Sequence, residues 1–447
     1  MKKLLPLLVL LVTLTRLEAS NPVITNLYTA DPSGHVFNGR LYIYGSHDRT
    51  DAQGWNMTDY HVFSTDDLQN WSDHGVALDL AHVPWADSHL WAPDTAFKNG
   101  LYYFFFPAHP KPGENGGIGV ATGTSPTGPF KAEPHPLPIQ GIDPSIYLDD
   151  DGTGYVIWAG KGLQMAKMKP NLLELDGAPM QVQGIENFFE GPWLFKRNGI
   201  YYMTYPAQMP GGTGHGGNGQ FFDYATAKSA MGPYTYQGHF SGTRPDCNNI
   251  HGSQFEWQGK WYCLYHDYNI SEGCPEHAHK RSAMLDEMEF DADGKIKPLH
   301  WTIEGPAQLK PLNPFERRDA TCLNQTPLPE NPLAVTIEPN PQGGMDLGNL
   351  RDGAWVRYSG VGFGTGATRF SALVCAATRA NARIELHLDS LDGPQIGSCP
   401  VSASPAGSWI DVNCPIQGAR DNHFLYLKFV GSGSGELFKL ASWQFSK

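Results

Sequence analysis

Five short, largely apolar stretches each carry one polar residue that could take part in proton transfer. These residues are Asp31, Asp94, Asp143, Glu190 and His251, and each lies six to nine positions before the glycine of a hairpin-type turn. Each also stands beside Pro, Gly or Ser, and a single motif of this kind is typical of an ordinary turn. Because the five recur in register, a shared site is the favoured interpretation.

Carboxyl groups that converge at a partly buried site cannot all ionise freely. Their pKa values therefore separate into those of a protonated acid and an ionised base. The acid can protonate a leaving glycosidic oxygen, the base can activate water, and a third carboxylate can raise the pKa of the acid. The pattern thus predicts glycoside hydrolysis. Trp91 and Trp193 stand near two of the acids and could stack on sugar faces, although Trp at such positions is as often part of a core.

Repeated hairpins indicate how these residues are positioned. An Asn-Gly, Asp-Gly or Gln-Gly pair followed by strand formers occurs in residues 38–44, 99–104, 151–157, 198–203 and 258–262. The copies are separated by roughly 50 to 60 residues, which suits one four-stranded propeller blade and its loops. Five copies predict a five-bladed β-propeller whose inner strands bring the polar residues together at the axis. A generic β-sandwich is the alternative, but it would not need such similar units.

Composition and length favour an all-β protein with two domains. The chain has 447 residues, 50 glycines, 35 prolines and 12% aromatic residues, without convincing helical periodicity. The repeat ends near residue 320, so residues 21–320 are predicted to form the propeller. The proline-containing segment 321–332 is predicted to be a linker. Residues 333–447 alternate apolar and polar side chains and are predicted to form a β-sandwich of the jelly-roll type.

Charge and the amino terminus restrict the partners and the location. A net charge of -13 without a basic cluster argues against nucleic acid and suits a neutral polymer. Residues 1–20 have the charged start, short apolar run and small residues of a signal peptide. The sequence therefore predicts a secreted or periplasmic protein that is not bound to a membrane.

Seven cysteines are few for a disulfide scaffold, and their odd number leaves at least one unpaired. Cys399 and Cys414 fall on strands predicted to be neighbours, while Cys247, Cys263 and Cys274 are close in sequence. Either group could hold a bridge.

The motifs around the acids resemble those of family 43 of the glycoside hydrolases. The resemblance covers roughly residues 21–320 and is carried by Asp31-Pro-Ser, Trp91-Ala-Pro-Asp94, Asp143-Pro-Ser and Glu190-Gly-Pro-Trp193. It implies that Asp31 is the general base, that Glu190 is the general acid, and that Asp143 orients Glu190 and tunes its pKa. It also implies inversion at the anomeric carbon.

The same resemblance suggests further site residues. His251 matches a histidine that in many members approaches a central calcium ion or its water shell, so Ca²⁺ is the one cofactor considered. Arg281 resembles an arginine that reaches the terminal sugar in several xylosidases. Together with Asp94, Trp91 and Trp193, Arg281 is predicted to contact substrate.

The predicted substrate is plant cell-wall xylan or arabinoxylan. Residues 45–48 and 67–75 look most like the β-xylosidase and α-L-arabinofuranosidase branches, so exo-acting release of xylose is the first expectation. Release of arabinose, or both activities, is the close alternative. An endo-acting arabinanase and a non-catalytic sugar-binding propeller are less favoured. The sequence leaves the oligomeric state open.

The second domain resembles a family 6 carbohydrate-binding module through residues 353–358, 384–390 and 437–445. It departs from the binding members where Asn349 stands near the position of a sugar-stacking tyrosine and Lys439 near that of a sugar-binding asparagine. A role in packing on the propeller is therefore placed slightly ahead of polysaccharide capture.

Overall fold

The computed structural model describes residues 20–52, 54–208, 220–242, 249–268, 280–376, 382–404, 407–433 and 435–447. Regular structure in these ranges consists of β-strands and one 3₁₀ turn, Leu80–His82, which confirms the all-β prediction. None of the described segments forms an apolar helix that could cross a membrane.

Five antiparallel sheets follow one another along the first part of the chain. The first contains β1 (Thr29–Phe37), β2 (Arg40–His47), β3 (Asp59–Thr65) and β4 (Trp71–Asp79). The second contains β6 (Asp94–Lys98), β7 (Leu101–Pro107), β9 (Ile118–Gly123) and β10 (Lys131–Ala132), beside a small pair formed by β5 (Ala86–Ser88) and β8 (His109–Pro110). The third contains β11 (Ile142–Leu148), β12 (Gly154–Gly160), β13 (Gly162–Met168) and β14 (Met180–Gln181). The fourth contains β15 (Trp193–Arg197), β16 (Ile200–Ala207), β17 (Phe221–Ala227) and β18 (Thr235–His239), and the fifth β19 (Gly252–Trp257), β20 (Lys260–Asp267) and β21 (Ser282–Met288).

The repeated turns form the hairpins that the sequence predicts. Asn38 and Gly39 both have positive φ angles, +52° and +78°, as a type I′ turn requires. Gln258 adopts the same conformation with φ +52°, although its side chain favours it less than asparagine would. The third turn is longer: the amide of Gly152 donates to the carbonyl oxygen of Asp149 (2.8 Å).

Each sheet packs its faces against the next sheet, and the last packs against the first. A core cluster containing Leu41 and Ile43 of β2 also contains Tyr262 and Leu264 of β20, so the fifth sheet closes on the first. Four other clusters fill the spaces between consecutive sheets. The sheets are thus arranged as a β-propeller, with β1, β6, β11, β15 and β19 as the inner strands.

The second domain is a sandwich of two sheets around one large core. One sheet has the order β24 (Thr336–Pro339), β25 (Met345–Leu350), β32 (Phe438–Ser446), β27 (Arg369–Cys375) and β30 (Ile410–Pro415). The other has the order β26 (Trp355–Gly364), β31 (Asp421–Val430), β28 (Ala382–Leu388) and β29 (Gln395–Val401).

The segment predicted to be a linker packs between the two domains. Its strand β23 (Cys322–Leu323) pairs with β4 of the first sheet, while β22 (Arg318–Asp319), just before it, pairs with β32 of the sandwich. Asn324 continues the bridge, since its amide donates to Gln69 O (2.7 Å) and accepts from Arg357 Nε (2.7 Å). Regular pairing across this segment joins the domains closely.

Cysteines in the described ranges are free thiols. Cys399 and Cys414 are both buried free thiols on the sandwich strands β29 and β30. Cys263 is free and buried, whereas Cys247 and Cys274 lie outside the described residues.

Candidate active site

Two of the three predicted catalytic acids are presented by bulges in inner strands. Asp31 and Asp143 have φ angles of +48° and +53°, a conformation that is uncommon for residues other than glycine. The pairing register of each strand shifts at this point, between Ala30 and Ser33 in β1 and between Ile142 and Ser145 in β11. A bulge re-aims a side chain out of the regular alternation. Each Asp-Pro-Ser motif therefore turns its acid towards the pocket.

The third acid, Glu190, is followed by Gly191, where the His251 ring leaves no room for a side chain. Gly191 has φ +55°, and a Cβ atom built there would lie 2.8 Å from Cδ2 of His251. The close approach lets the His251 ring pack directly on the backbone beside Glu190. Any larger residue at position 191 would displace the histidine.

The three acids share one pocket with an empty volume of about 400 Å³, open to solvent. Its lining includes six of the eight residues predicted from the sequence: Asp31, Trp91, Asp143, Glu190, His251 and Arg281. It also includes Trp55, Met57, Ile142 and Asn249.

Arg281 anchors the pocket to two acids of the first sheet. Its Nε and Nη2 donate to Oδ2 and Oδ1 of Asp48 (2.8 and 2.9 Å), which is a two-pronged ion pair. Its Nη1 donates to Asp31 Oδ1 (2.8 Å), and the guanidinium lies 4.5 Å from the ring centre of Trp55. The side chain of Arg281 is almost fully buried. The arginine is thereby fixed as a positive wall of the pocket.

Asp31 is held in its ionised form. Burial opposes ionisation, but the charge of Arg281 and a hydrogen bond from His251 hold the pKa of Asp31 well below its usual range. The buried ring of His266 adds backbone support: Asp31 N donates to its Nδ1 (2.9 Å), and its Nε2 lies 2.6 Å from Asn249 O. Burial, together with the charge of Arg281, lowers the pKa of His266 to about 3, so this histidine is neutral.

Glu190 and Asp143 are shifted in the opposite direction. Burial and then the charge of Asp143 raise the pKa of Glu190 well above its usual value. Burial also raises the pKa of Asp143 to about 6, with the charge of Asp31 adding to the effect. Asn249 orients Glu190 by donating to its Oε1 (2.8 Å), and accepts from Arg281 Nη1 (2.9 Å). The pocket thus combines an ionised carboxylate with a carboxyl group that retains its proton.

Asp94 and Trp193 do not line this pocket. They line a second cavity, on segments of the inner strands nearer the hairpins, where His35 Nε2 lies 2.5 Å from Asp94 Oδ1 and Ile146 N donates to Asp94 Oδ2 (2.7 Å). Both residues precede their hairpin glycine by six positions, whereas Asp31 precedes its own by eight. Since a strand advances about 3.3 Å per residue, two positions move a side chain well along the axis.

Four pocket residues were missed in the sequence. Trp55 and Met57 lie between β2 and β3, and Asn249 lies before β19, so no strand periodicity marks them. Ile142 stands next to Asp143 but reads as an ordinary apolar strand residue. The one usable signal is for Asn249, which precedes the axial His251 by two residues.

Sequence comparisons match both parts of the chain to known families. Residues 19–296 match Glycosyl hydrolases family 43, and residues 332–447 match Carbohydrate binding module (family 6). A xylosidase/arabinosidase 43A of Humicola insolens is 37% identical over 62% of this chain and 98% of its own length. An arabinoxylan arabinofuranohydrolase of Bacillus subtilis is 30% identical over 96% of this chain and 92% of its own length.

Solved structures agree with these matches. The crystal structure of a family 43 arabinoxylan arabinofuranohydrolase from Bacillus subtilis, in complex with cellotetraose, covers 96% of this chain and 98% of its own at a TM-score of 0.84 and 28% identity. A family 43 β-xylosidase/α-arabinofuranosidase from a compost metagenome, in complex with xylotriose and in a calcium-free form, covers 62% of this chain and 96% of its own, at a TM-score of 0.55 and 34% identity. The predicted resemblance is confirmed: the chain belongs to family 43 of the glycoside hydrolases and carries a family 6 carbohydrate-binding module.

Proposed function

We propose that this glycoside hydrolase is an exo-acting, inverting enzyme that removes one pentose unit at a time from plant cell-wall arabinoxylan or its fragments. The observation that carries the proposal is the pairing of an ionised Asp31 with a protonated Glu190 in one pocket walled by Arg281. One acid and one base on the same substrate are what a direct displacement by water requires.

In the proposed reaction, Glu190 donates its proton to the glycosidic oxygen as the bond from that oxygen to the anomeric carbon breaks. A water molecule attacks the same carbon from the opposite face and gives up a proton to Asp31. The sugar is released with inverted configuration, and the water proton ends on Asp31 while the Glu190 proton leaves with the alcohol. Asp143 keeps the pKa of Glu190 high because its negative charge disfavours a second one nearby.

Asp31 has an oxygen atom left to accept a proton. Its Oδ1 binds Arg281 (2.8 Å), whereas among the described residues Oδ2 accepts only from the Ser46 hydroxyl (2.7 Å). A carboxylate oxygen has two lone pairs, so Oδ2 can also bind a water molecule. We assign Oδ2 as the atom that takes the proton of the attacking water.

Two pentoses are candidates for the released sugar. Arabinofuranose is favoured because two relatives that match both the propeller and the sandwich, at 30% and 32% identity, are named arabinoxylan arabinofuranohydrolases. A third, at 24% identity, is named xylosidase/arabinosidase. Xylose is favoured because relatives that match over the propeller region alone include a named β-xylosidase as well as xylosidase/arabinosidases. A single site that accepts both is consistent with the dual names of those relatives.

A calcium ion near His251 belongs to the same proposal. Calcium typically takes about six to eight oxygen ligands. The hydroxyl oxygens of Ser33, Thr95 and Ser145 are buried and have no hydrogen-bond partner among the described residues. Hydroxyl oxygens are donors of the kind that calcium takes, so these inner-strand residues fit such an ion, which would supply positive charge near the axis.

We also propose that the sandwich mainly braces the propeller. The side chain of Asn349 is occupied by Ala334 O (2.6 Å) and Arg351 Nε (2.7 Å), and Lys439 pairs with Glu338. At the interface, Asn70 donates to Ser359 O (3.0 Å) and accepts from Ser359 N (2.8 Å).

Two further features belong to the proposal. The propeller has five blades, which is supported by the five sheets and their closed packing. The protein is exported through residues 1–20, nearly all of which lie outside the described ranges.

The test is product release by the wild-type protein from p-nitrophenyl β-D-xylopyranoside, p-nitrophenyl α-L-arabinofuranoside, xylo-oligosaccharides and arabinoxylan. The expected products are single pentoses, with inversion visible by NMR as the first anomer formed. The ratio of kcat/KM for the two nitrophenyl substrates names the preferred sugar. Release of oligosaccharides instead would contradict exo action. If a folded protein cleaves none of these substrates, a non-catalytic sugar-binding role replaces the proposal.

A further inference from the structure

Three side chains of the kinds that bind transition metals gather outside the pocket, on the first sheet. His47 is the last residue of β2, and Asp59 and His61 lie on β3. The strands pair Ser46 with Tyr60, so His47 stands opposite Asp59, and His61 lies on the same face two residues further along. One potential ligand atom from each of the three residues lies within 4.8 Å of the others.

The orientation of His61 favours a cation in this cluster. Its Nδ1 lies 3.2 Å from Asp73 Oδ1, and this carboxylate also accepts from Gly75 N (2.7 Å) and Asn26 Nδ2 (2.7 Å). Because the carboxylate only accepts, Nδ1 of His61 must carry a proton. In neutral His61 the unprotonated Nε2 then faces Asp59 Oδ1 at 3.6 Å, too far for a hydrogen bond. Two acceptors face each other, and a positive charge between them, either a second proton on His61 or a metal ion, would stabilise this arrangement.

An outer carboxylate that fixes the tautomer of a histidine is a recurrent feature of metal sites. Asp73 takes this position behind His61. Two imidazoles and one carboxylate are donors that suit zinc and similar divalent ions, whereas calcium prefers oxygen alone. The side chains of His47, Asp59 and His61 are 23%, 17% and 13% exposed, so an ion can enter and keep a water as fourth ligand.

The nearby cation Arg49 is engaged elsewhere. Its Nε and Nη2 donate to the two carboxylate oxygens of Asp51 (3.0 and 2.7 Å), and its Nη1 donates to Thr58 Oγ1 (3.2 Å). Among the described residues, Arg49 makes no direct ion pair with Asp59. Asp59 is instead hydrogen-bonded within the cluster: its Oδ1 lies 2.8 Å from His47 Nδ1, and its Oδ2 accepts from Thr58 Oγ1 (3.3 Å). A metal ion bound there would take the place of the proton between His47 and Asp59.

We propose that His47, Asp59 and His61 bind one divalent ion of the zinc class, with Asp73 as a positioning residue. His47 and Asp59 are the two ends of the segment that carries Trp55 and Met57 into the pocket. An ion that joins those ends reduces the conformational freedom of the segment. It should tighten substrate binding while leaving the acids and the chemical step unchanged.

The experiment uses the untagged protein, because a polyhistidine tag would itself bind the ion. After dialysis against EDTA, ZnCl₂ is titrated by calorimetry and the melting temperature is measured with and without the metal. The expected result for the wild type is one Zn²⁺ per chain and a raised Tm. His61→Asn should lose both, and Asp73→Asn should bind Zn²⁺ about 10- to 100-fold more weakly. His423→Asn, which alters another histidine–aspartate pair (2.8 Å to Asp389), is the control and should behave like the wild type.

Kinetics and spectroscopy complete the test. Zn²⁺ should lower KM several-fold with kcat unchanged in the wild type and should have no effect in His61→Asn. The absence of stoichiometric Zn²⁺ uptake by the wild type, or undiminished uptake by His61→Asn, would overturn the proposed site. If His61→Asn does not fold, Co²⁺ bound to the wild type decides: intense visible bands of a tetrahedral ion support the site, and an octahedral spectrum or no binding contradicts it.

Discussion

Buried carboxylates lie at both ends of the inner strands, but their surroundings differ between the two ends. In the cavity nearer the hairpins, Asp94 accepts from two backbone amides, those of Thr95 (2.7 Å) and Ile146 (2.7 Å), and pairs with His35. In the pocket, Asp143 and Glu190 crowd each other and Asp31, and burial and mutual repulsion raise the pKa values of Asp143 and Glu190.

This difference shows what separates a structural acid from a reactive one in the same fold. An acid whose oxygens all accept hydrogen bonds from fixed donors stabilises the fold and has no oxygen left for a proton transfer. An acid with few hydrogen-bond donors keeps or releases its proton according to the charges of the neighbouring groups. Catalysis by acids and bases depends on this property. Substitutions of acids in the pocket should therefore lower activity, whereas substitution of the acid in the other cavity should lower the stability of the fold.

The largest effect is expected for Glu190→Gln. The amide keeps the shape of the side chain but has no proton to give to the leaving oxygen, so kcat should fall about 10³-fold. The measurement is steady-state hydrolysis of a pentoside whose leaving group needs protonation. Glu256→Gln, at the opposite end of the strands and lining the other cavity, is the matched control and should keep full activity. Equal loss in both variants would contradict the assignment.

A smaller loss, about 10²-fold in kcat, is expected for Asp143→Asn. The charge of Asp143 raises the pKa of Glu190, so its removal should lower that pKa. Because the acid must be protonated, the alkaline limb of the pH–rate profile should move to lower pH. Asp150→Asn, which changes an acid of the other cavity, should leave the profile in place. An alkaline limb that does not move in Asp143→Asn would refute the role of Asp143 as a tuner of Glu190.

Arg281→Lys should lower kcat/KM by about 10- to 100-fold, because hydrogen bonds between charged groups contribute roughly 1.5–3 kcal/mol. Lysine cannot bridge Asp48 and Asp31 with a fork, so the pKa of Asp31 should rise towards its usual value. Asp31 must be ionised to act as a base, and the acidic limb of kcat/KM should therefore move to higher pH. Arg197→Lys, whose guanidinium lies over Phe290, serves as the control. An unchanged acidic limb would show that Arg281 does not hold Asp31 ionised.

Asp94→Asn should change kcat least, by less than about twofold, and should instead destabilise the fold. The new amide nitrogen would face a backbone N–H where an oxygen is needed, which costs about 1–3 kcal/mol. Urea denaturation measures the free energy of unfolding, with Asp87→Asn on the surface as the comparison. A stable Asp94→Asn variant that has lost activity would place Asp94 at the substrate after all.

Local turn chemistry explains why the all-β fold could be predicted. Asn38, Asn99 and Asn198 adopt the positive φ angles that the Asn-Gly pairs predict, because asparagine and glycine tolerate that conformation better than other residues. The packing of residues 321–332 could not be predicted in the same way. Its strand β23 pairs with β4, which lies 250 positions earlier in the chain (Cys322 opposite Ser72), and no local preference encodes so distant a pairing.

Spacing explains the outcome at the site. Asp31, Asp143 and Glu190 lie eight or nine positions before their hairpin glycines, and all three line the pocket; Asp94 and Trp193 lie six before theirs and line the other cavity. The number of positions before the hairpin glycine therefore distinguishes the residues of the pocket from those of the other cavity. Trp55 and Met57 have no such signal, because a segment between strands places them and its conformation depends on distant contacts.

The ion pair between Arg281 and the first sheet links activity to closure of the propeller. Asp31 and Asp48 are among the first residues to leave the ribosome, and Arg281 follows them by 250 and 233 positions. Arg281 reaches them only after the fifth sheet has docked on the first. A nascent chain that ends before residue 281 therefore contains Asp31, Asp143 and Glu190 without the charge that keeps Asp31 ionised. On the proposed mechanism, hydrolysis requires that the fifth sheet has packed on the first, so recovery of activity during refolding should report closure of the ring.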